Sequence, residues 1–118
     1  MSVESNTLFI SWGRAVVGRE THAAELFAVA IAYYERWKKA GKIESWEPVI
    51  LPAAGDDLEG FFIVRGTREQ LRGMMDDTEF QENNMRASHR LTNFKLILAF
   101  SGKACSEALA MWGKALPR

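Results

Sequence analysis

A histidine between two arginines is the first group of side chains that could do chemistry. Arg86, His89 and Arg90 lie three and four residues apart, so they would share one face of a helix. Such a face could bind an anion, and a histidine can exchange a proton near neutral pH. The pattern is equally typical of a solvated helix end, where cations interact favourably with the helix dipole. His89 is therefore the candidate catalytic residue, and Arg86 and His89 are candidate ligand-binding residues.

A second candidate site combines a tryptophan with two arginines. Trp12 and Arg14 share one face of an extended segment, and Arg65 ends an apolar segment expected beside it. Guanidinium groups next to an indole ring are suited to binding a carboxylate or an aromatic acid. The alternative is that strand-end arginines simply extend into water. The sequence thus predicts Trp12, Arg14 and Arg65 as further ligand-binding residues.

Few residues are available for a metal or a cofactor. The chain has two histidines, His22 and His89, and one cysteine, Cys105. A zinc site needs more ligands at suitable spacing, so we predict no metal site. One histidine is enough for a proximal haem ligand, so haem is compatible with His22 or His89, although the sequence requires no cofactor.

The bulk composition is that of an ordinary globular domain. The 118 residues are 47% hydrophobic and 25% charged, which favours one domain with a real core. Lys plus Arg and Asp plus Glu number 15 each, whereas proteins that bind nucleic acid through phosphates usually show a basic excess. A single cysteine allows no intrachain disulfide, and no leader or membrane-spanning stretch is visible. We therefore expect a cytoplasmic protein without nucleic-acid or membrane partners.

Hydrophobic periodicity and turn residues divide the chain into strands and helices. Residues 1–6 are polar, and we expect them to be frayed. Thr67 with Gln70 and Thr78 with Gln81 match the spacing of a capping box, which predicts a break in the second helical region near Asp76. The expected strands are 7–17, 43–51, 59–65 and 93–100, and the expected helices are 20–40, 67–76, 79–90 and 103–116.

This order predicts an α+β fold over residues 1–118. A β-α-β-β-α-β chain forms a ferredoxin-like sandwich, with a four-stranded antiparallel sheet and the helices on one face; here a C-terminal helix is added. The strands nevertheless carry apolar residues on both faces, with Phe61 and Ile63 on one and Phe62 and Val64 on the other. An uncovered apolar face indicates an interface. The C-terminal helix could cover part of it, and a second copy of the sheet could cover the rest.

The local sequence supports a more specific resemblance over about residues 7–100. Ser45-Trp46 begins the second strand, Thr67-Arg68-Glu69-Gln70 follows the third, and Asp77-Thr78-Glu79-Phe80 precedes the second helical piece. In these features the chain resembles the dimeric α/β-barrel superfamily. That resemblance implies a homodimer in which two ferredoxin-like sheets pack face to face. The superfamily includes cofactor-independent monooxygenases, haem-degrading enzymes, isomerases and dye-decolourising peroxidases, so it implies no single reaction.

Three functions are compatible with this fold. The first is a homodimer that binds or converts a small aromatic or carboxylate ligand, as a monooxygenase or an isomerase does. The second is a non-catalytic dimeric binding or regulatory module. The third is RNA binding, because RNA-recognition domains share this element order, but zero net charge and a half-matching aromatic pattern at 60–65 rank it last.

Overall fold

The computed structural model describes residues 2–52 and 57–117. The predicted turn at 52–57 falls mostly on residues 53–56, which lie outside the described ranges. None of the described helices is both long and apolar enough to cross a membrane. In chain order the elements are β1 (Thr7–Trp12), α1 (Glu20–Lys39), β2 (Ser45–Ile50), β3 (Gly60–Arg65), α2 (Arg68–Met75), α3 (Thr78–Arg90), β4 (Lys95–Ala99) and α4 (Lys103–Ala115).

The four strands form one sheet in the order β2-β3-β1-β4, with every neighbouring pair antiparallel. Because β3 and β4 both run antiparallel to the central strand β1, they are parallel to each other, as a strand-helix-strand unit requires. Pro48 lies in the edge strand β2, where a missing N–H group is tolerated. The α+β, ferredoxin-like arrangement with an added C-terminal helix is confirmed.

The hydrophobic core lies between the sheet and the first three helices. Alternate residues of the two central strands point into it, and each helix adds large apolar side chains. Burying one such side chain contributes about 1.5–3 kcal/mol. The core residues that are almost fully buried are Leu8, Ile10, Tyr33, Val64, Leu71, Met74 and Phe80.

The two predicted helix starts differ in how they are capped. At α2 the capping box is confirmed: the Gln70 N–H donates to Thr67 Oγ1 (3.1 Å), and the Thr67 N–H donates to Gln70 Oε1 (2.9 Å). At α3 the prediction of Thr78 as the cap is wrong. Asp77 caps α3, because its Oδ2 accepts from the Phe80 N–H (3.3 Å). The same oxygen accepts from the Tyr33 hydroxyl (3.0 Å), which ties the start of α3 to α1.

The first strand is shorter than predicted. β1 ends at Trp12, and residues 13–16 run beside the end of α3 rather than along β3. The Gly13 N–H donates to the Thr92 carbonyl (2.7 Å), and the Val16 N–H donates to the Arg90 carbonyl (2.8 Å). Arg14 therefore does not continue the strand face on which Trp12 lies.

The sheet surface opposite the helices is apolar at its centre. We call it the open face, and its central residues are Phe9, Phe61, Ile63 and Ile97. Phe9 pairs in register with Ile63 on one side and with Ile97 on the other, and the Phe9 and Phe61 ring centroids are 4.9 Å apart. Ile97 remains 46% exposed. This confirms that the sheet carries apolar residues on both faces.

The last helix, α4, makes few contacts with the sheet among the described residues. The helix contains no buried residue, and Leu109 and Trp112 are 60% and 63% exposed. Its apolar side includes Ala104, Ala108, Met111, Trp112 and Ala115, but this side does not cover the open face as the sequence suggested it could. The elongated shape of the chain, 53 × 35 × 21 Å, reflects this arrangement.

Hydrogen bonds fix the point where α4 leaves the sheet. Asn6 Nδ2 donates to the Ser101 carbonyl (3.0 Å), and the Ser101 N–H donates to Asn6 Oδ1 (2.9 Å). The Thr7 and Ser101 hydroxyl oxygens are 2.6 Å apart. The prediction of a frayed segment over residues 1–6 therefore does not hold at Asn6. Gly102 follows with φ of 57°, and α4 begins at the next residue.

Candidate functional site

A small cavity lies between α1, α3 and the helix-facing side of the sheet. Its volume is about 60 Å³, and apolar side chains form most of its surface. Trp12 and Phe62 form its floor, and the two helices form its sides. We call this space the α1–α3 cavity; its lining residues are Trp12, Ala23, Leu26, Phe27, Ala30, Tyr34, Phe62, Asn83, Asn84, Ala87 and Leu91.

Three aromatic rings that contact one another form the inner wall of the cavity. The Trp12 ring centroid lies 4.9 Å from that of Phe62 and 5.6 Å from that of Phe27, and the Phe27 and Phe62 centroids are 5.3 Å apart. Tyr34 extends this cluster, 5.2 Å from Phe62 with its ring edge-on. Tilted and edge-on pairs of this kind are the favoured geometries for aromatic rings. The wall is therefore suited to contact another flat ring.

Small side chains on the two helices leave the space that the rings surround. Ala23 and Ala30 lie on α1, and Ala87 lies on α3, where it is 5% exposed. The interiors of proteins are normally packed without voids larger than a water molecule. A longer side chain at any of these positions would extend into the space. Alanine at these positions is thus what keeps the cavity open.

Gly60 permits the position of Trp12 on the cavity floor. These residues pair across β1 and β3, and a Cβ atom on Gly60 would lie 2.7 Å from Trp12 Cζ2 and 2.8 Å from the Val49 carbonyl oxygen. We expect Gly60→Ala to lower the free energy of unfolding by about 1–3 kcal/mol, measured by urea denaturation, because the indole must move. The control is Gly73→Ala in α2, where a Cβ meets nothing within 4 Å. That change should instead stabilise the helix by about 0.5–1 kcal/mol. Equal stability of Gly60→Ala and the wild type would contradict this packing.

The main polar group of the cavity is the amide of Asn83. Asn83 is 6% exposed, and its Oδ1 accepts from Arg86 Nη1 at 3.2 Å. The Arg86 guanidinium also contacts Glu82 Oε2 at 3.4 Å, on the exposed side of α3. A buried polar group generally needs a hydrogen-bond partner, and Arg86 supplies one here. Asn83 therefore connects the interior of the cavity to a charged group at the surface.

Two tyrosines beside the cavity stay protonated over a wide pH range. Burial raises the pKa of Tyr34, which lines the cavity, well above its usual value. Burial also raises the pKa of Tyr33, and the hydrogen bond to Asp77 raises it further. At neutral pH both phenols are neutral, so Tyr34 cannot serve as a general base in this cavity.

The structure separates the residues of the predicted tryptophan–arginine site. Trp12 lines the α1–α3 cavity, and Arg14 lies in the irregular segment after β1. Arg65 pairs in register with Thr7, at the other end of β1, about 17 Å from Trp12 at the usual strand rise. Its Nη1 lies 3.2 Å from Glu47 Oε1 in an exposed ion pair. Arg65 and Trp12 therefore do not belong to one site, and the ligand-binding roles of Trp12, Arg14 and Arg65 remain predictions.

The three residues of the predicted helical cluster also have different surroundings. Arg86 reaches the cavity amide of Asn83, whereas Arg90 Nη1 donates to the backbone carbonyl of His22 (3.0 Å) and joins α3 to α1. His89 is exposed and lies on the side of α3 opposite Ala87. His89 does not line the α1–α3 cavity, and its catalytic role remains a prediction. Within residues 2–52 and 57–117, no three His, Cys, Asp or Glu side chains are arranged to hold a metal ion.

Neither Asn83 nor the aromatic residues Phe27 and Tyr34 of this cavity were singled out from the sequence. A signal for Asn83 was present: it lies three residues after Phe80 and four before Ala87, on the buried side of α3. A polar residue at an apolar position of a helix marks either a buried network or a site. No comparable signal marks the cavity itself, because the alanines that create it are common in helices.

Comparison with known proteins does not add an assignment. No protein-family model matches the chain, and no curated protein is significantly similar to it. The arrangement itself offers a flat aromatic wall, a neutral buried amide and one guanidinium at the rim. Chemically, this combination can hold a small ring and orient a polar group attached to it.

Proposed function

We propose that this protein is a homodimeric α/β-barrel protein that binds a small aromatic ligand in the α1–α3 cavity. The observation that carries this proposal is the cluster of Trp12, Phe27 and Phe62 around a space that also contains the Asn83 amide. Ligand sites are typically concave and apolar, with a few polar groups that fix the orientation of the ligand. This cavity has that composition.

The volume of the cavity limits the ligand and requires a small movement. The space of about 60 Å³ is less than the roughly 150 Å³ of an engineered cavity that binds benzene. A ring therefore enters only if one wall moves. Phe27 is the wall residue best placed to do so, because it lies on α1 and is only half buried. We expect its side chain to rotate when a single-ring ligand binds.

Arg86 favours a ligand that carries a carboxylate beside its ring. Its guanidinium already donates to Asn83 and faces Glu82 at 3.4 Å, a long contact that is mostly exposed. An exposed ion pair of this kind is worth about 0–1 kcal/mol, so a bound carboxylate can replace Glu82 at little cost. The ring would then lie against Trp12, and the carboxylate would lie at the rim.

The open face supports the dimeric part of the proposal. Phe9, Phe61, Ile63 and Ile97 form a continuous apolar surface, which monomeric proteins rarely leave in water. A two-fold axis is the simplest way for a second copy to cover it, because the same surface then meets itself. Two such sheets would enclose an apolar layer and leave each α1–α3 cavity on the outer side of its own sheet.

Benzoate and toluene are suitable probes for this proposal in an NMR titration of the ¹⁵N-labelled protein. Benzoate should shift the amide signals of Trp12, Phe27 and Ala87 in a saturable way, because its ring enters the cavity. Arg86→Gln should weaken benzoate binding and leave toluene binding unchanged, since toluene has no carboxylate. Absence of saturable shifts with both probes would contradict the proposed site.

Filling the cavity gives a more specific prediction. Ala87→Leu should lower benzoate affinity at least about tenfold, while stability changes by less than about 1.5 kcal/mol, because the added carbons occupy existing space. Titration calorimetry and urea denaturation measure the two effects. Ala28→Leu, on the exposed side of α1, is the matched control and should change neither. Unchanged benzoate affinity in Ala87→Leu would place the ligand elsewhere.

A second candidate function is conversion of the ligand, as in a cofactor-independent monooxygenase or an isomerase. The observation that favours it is Asn83, a neutral donor buried among apolar side chains, where a developing oxyanion would be stabilised strongly. Turnover of a bound aromatic substrate that is lost in Asn83→Leu but retained in Gln81→Leu, at an exposed amide of α3 outside the α1–α3 cavity, would support conversion. Binding without turnover would leave the protein as a binding module.

A further inference from the structure

α4 is an amphipathic helix whose apolar side is largely exposed in the part of the chain that the structure describes. Leu109, Met111 and Trp112 lie on that side and are 45–63% exposed. The opposite side carries Lys103, Glu107 and Lys114. In globular proteins the apolar side of such a helix faces a core, and tertiary packing supplies most of the stability of a helix this short. The side of α4 that should be packed is therefore the side that is exposed.

The direction of α4 is fixed where the helix begins. The paired hydrogen bonds between Asn6 and Ser101 and the contact of the Thr7 and Ser101 hydroxyls hold the residue before Gly102 against β1. Only Gly102, with φ of 57°, separates this anchor from the helix. These hydrogen bonds fix the start of α4, and the helix points away from its own sheet instead of folding back over it.

An apolar groove lies on the surface of the same chain. It lies where α2 and α3 leave the helix-facing side of β4 uncovered, and it holds about 320 Å³ of space. Its apolar residues are Met75, Phe80, Met85, Phe94 and Leu96, and Met85 is 65% exposed. The polar residues at its rim, Gln81, Asn84 and Ser88, are uncharged. We call this surface the β4 groove; it has the chemistry that the apolar side of a helix requires.

The size of the open face leaves room for this second surface in a dimer. Three strands of six residues and one of five, about 4.8 Å apart and rising about 3.3 Å per residue, project an area of about 360 Å². Side-chain relief could about double that area, which is slightly less than the roughly 800 Å² that each partner of a standard protein interface buries. The apolar side of α4, about 20 Å long at the usual helical rise, would bring the interface to the standard size.

We propose that α4 is exchanged between the two subunits, so that α4 of each copy lies in the β4 groove of the other. The proposal rests on the homodimer of the proposed function and adds a second interface to it. Two exchanged helices obey the same two-fold axis as the paired sheets, because each helix contacts the surface that its counterpart presents. The occupant of the β4 groove is thus a second copy of this chain.

Cross-linking from position 112 tests the exchange in the full chain. Trp112 is replaced by the photoreactive residue p-benzoylphenylalanine, and chains with and without ¹⁵N are mixed, unfolded and refolded together. With exchange, about half of the cross-linked peptide pairs combine labelled and unlabelled chains, and they join α4 to the segment between Phe80 and Leu96. Cross-links that always join peptides of one label would overturn the exchange.

Native mass spectrometry of the same mixture separates the two ways in which the proposals can fail. A dimer with only same-label cross-links would reject the exchange and leave the sheet-to-sheet dimer intact. A monomer would reject both the exchange and the dimer of the proposed function. Benzoate binding, read in the same sample, tests the cavity independently of either result.

Two neighbouring positions of α4 provide a matched pair of variants. Leu109→Glu should raise the dissociation constant of the dimer roughly 10- to 100-fold, because the exchange would bury Leu109, which is 60% exposed in the single chain. Ala110→Glu adds the same charge on the polar side of α4 and should leave the constant unchanged. Sedimentation velocity measures both. Equal dissociation constants for the two variants would contradict an interface on the apolar side of α4.

Discussion

Phe9→Glu is expected to convert the proposed dimer into a folded monomer. Phe9 lies at the centre of the open face, in register with Ile63 and Ile97 and against the ring of Phe61. A carboxylate there would be buried between two sheets without a partner. An uncompensated buried charge costs about 3–5 kcal/mol, so the dissociation constant should rise by at least about 100-fold. Sedimentation velocity over a range of concentrations measures the change.

The monomer should remain folded because Phe9 points away from the core. Leu8 and Ile10, its neighbours in β1, are the residues that pack under the helices, and both are almost fully buried. Circular dichroism should therefore be unchanged. Ala28→Glu, which adds one carboxylate to the exposed side of α1, is the control for charge and should stay dimeric. A dimeric Phe9→Glu variant would contradict the interface, as would a wild-type monomer that binds single-stranded RNA in a salt-sensitive manner.

Stability is expected to fall steeply above pH 10. The pKa of Tyr33 and the pKa of Tyr34 are both raised in the folded protein above the value of 10.0 that a free tyrosine shows. Above pH 10 the unfolded chain releases these protons and the folded chain retains them. The unfolded state is thereby favoured, by about 1.4 kcal/mol per pH unit for each tyrosine. With both tyrosines the slope should be about 2.7 kcal/mol per unit, from pH 10 upward.

Single substitutions identify which tyrosine produces the slope. In Tyr34→Phe only one buried phenol remains, so the slope between pH 10 and pH 11 should fall by about half. Tyr33→Phe should have the same effect on the slope, and it also removes the hydrogen bond to Asp77 and lowers stability at pH 7 by about 0.5–1.5 kcal/mol. Urea denaturation at a series of pH values gives these numbers. A stability that is constant from pH 9 to pH 11 would show that the phenols ionise in the folded state.

The fold was predictable because it follows from local patterns. Apolar periodicity, Gly41 after α1 and the Thr67–Gln70 capping box mark elements without knowledge of the rest of the chain. The first residue of a helix was less predictable where two neighbouring residues could both cap it. Asp77 and Thr78 are both good N-cap residues, and Asp77 caps α3 because it also accepts from Tyr33, 44 residues earlier. That contact cannot be inferred from the neighbouring sequence.

The candidate site was mostly not predictable, for a related reason. The sequence favoured charged residues as ligand-binding candidates. Arg65, however, lies at the end of β1 opposite Trp12, because antiparallel pairing places it beside Thr7. The cavity depends instead on where α1 and α3 meet above the sheet, and this meeting brings Ala23 and Ala87 together from distant segments. Trp12 was identified by its type, although its neighbours in the site differ from those expected.

The position of β1 in the sheet has a consequence for how the chain folds during synthesis. β1 is the first strand to leave the ribosome, yet its neighbours are β3 and β4, and the contact between Asn6 and Ser101 joins residues 95 positions apart. Pairing of such distant segments is slow, because loop closure costs entropy before the contacts form. The apolar residues of β1 therefore stay unpaired until β3 and β4 have been synthesised. Nascent chains that stop before β4 should accordingly be the species that most need a chaperone.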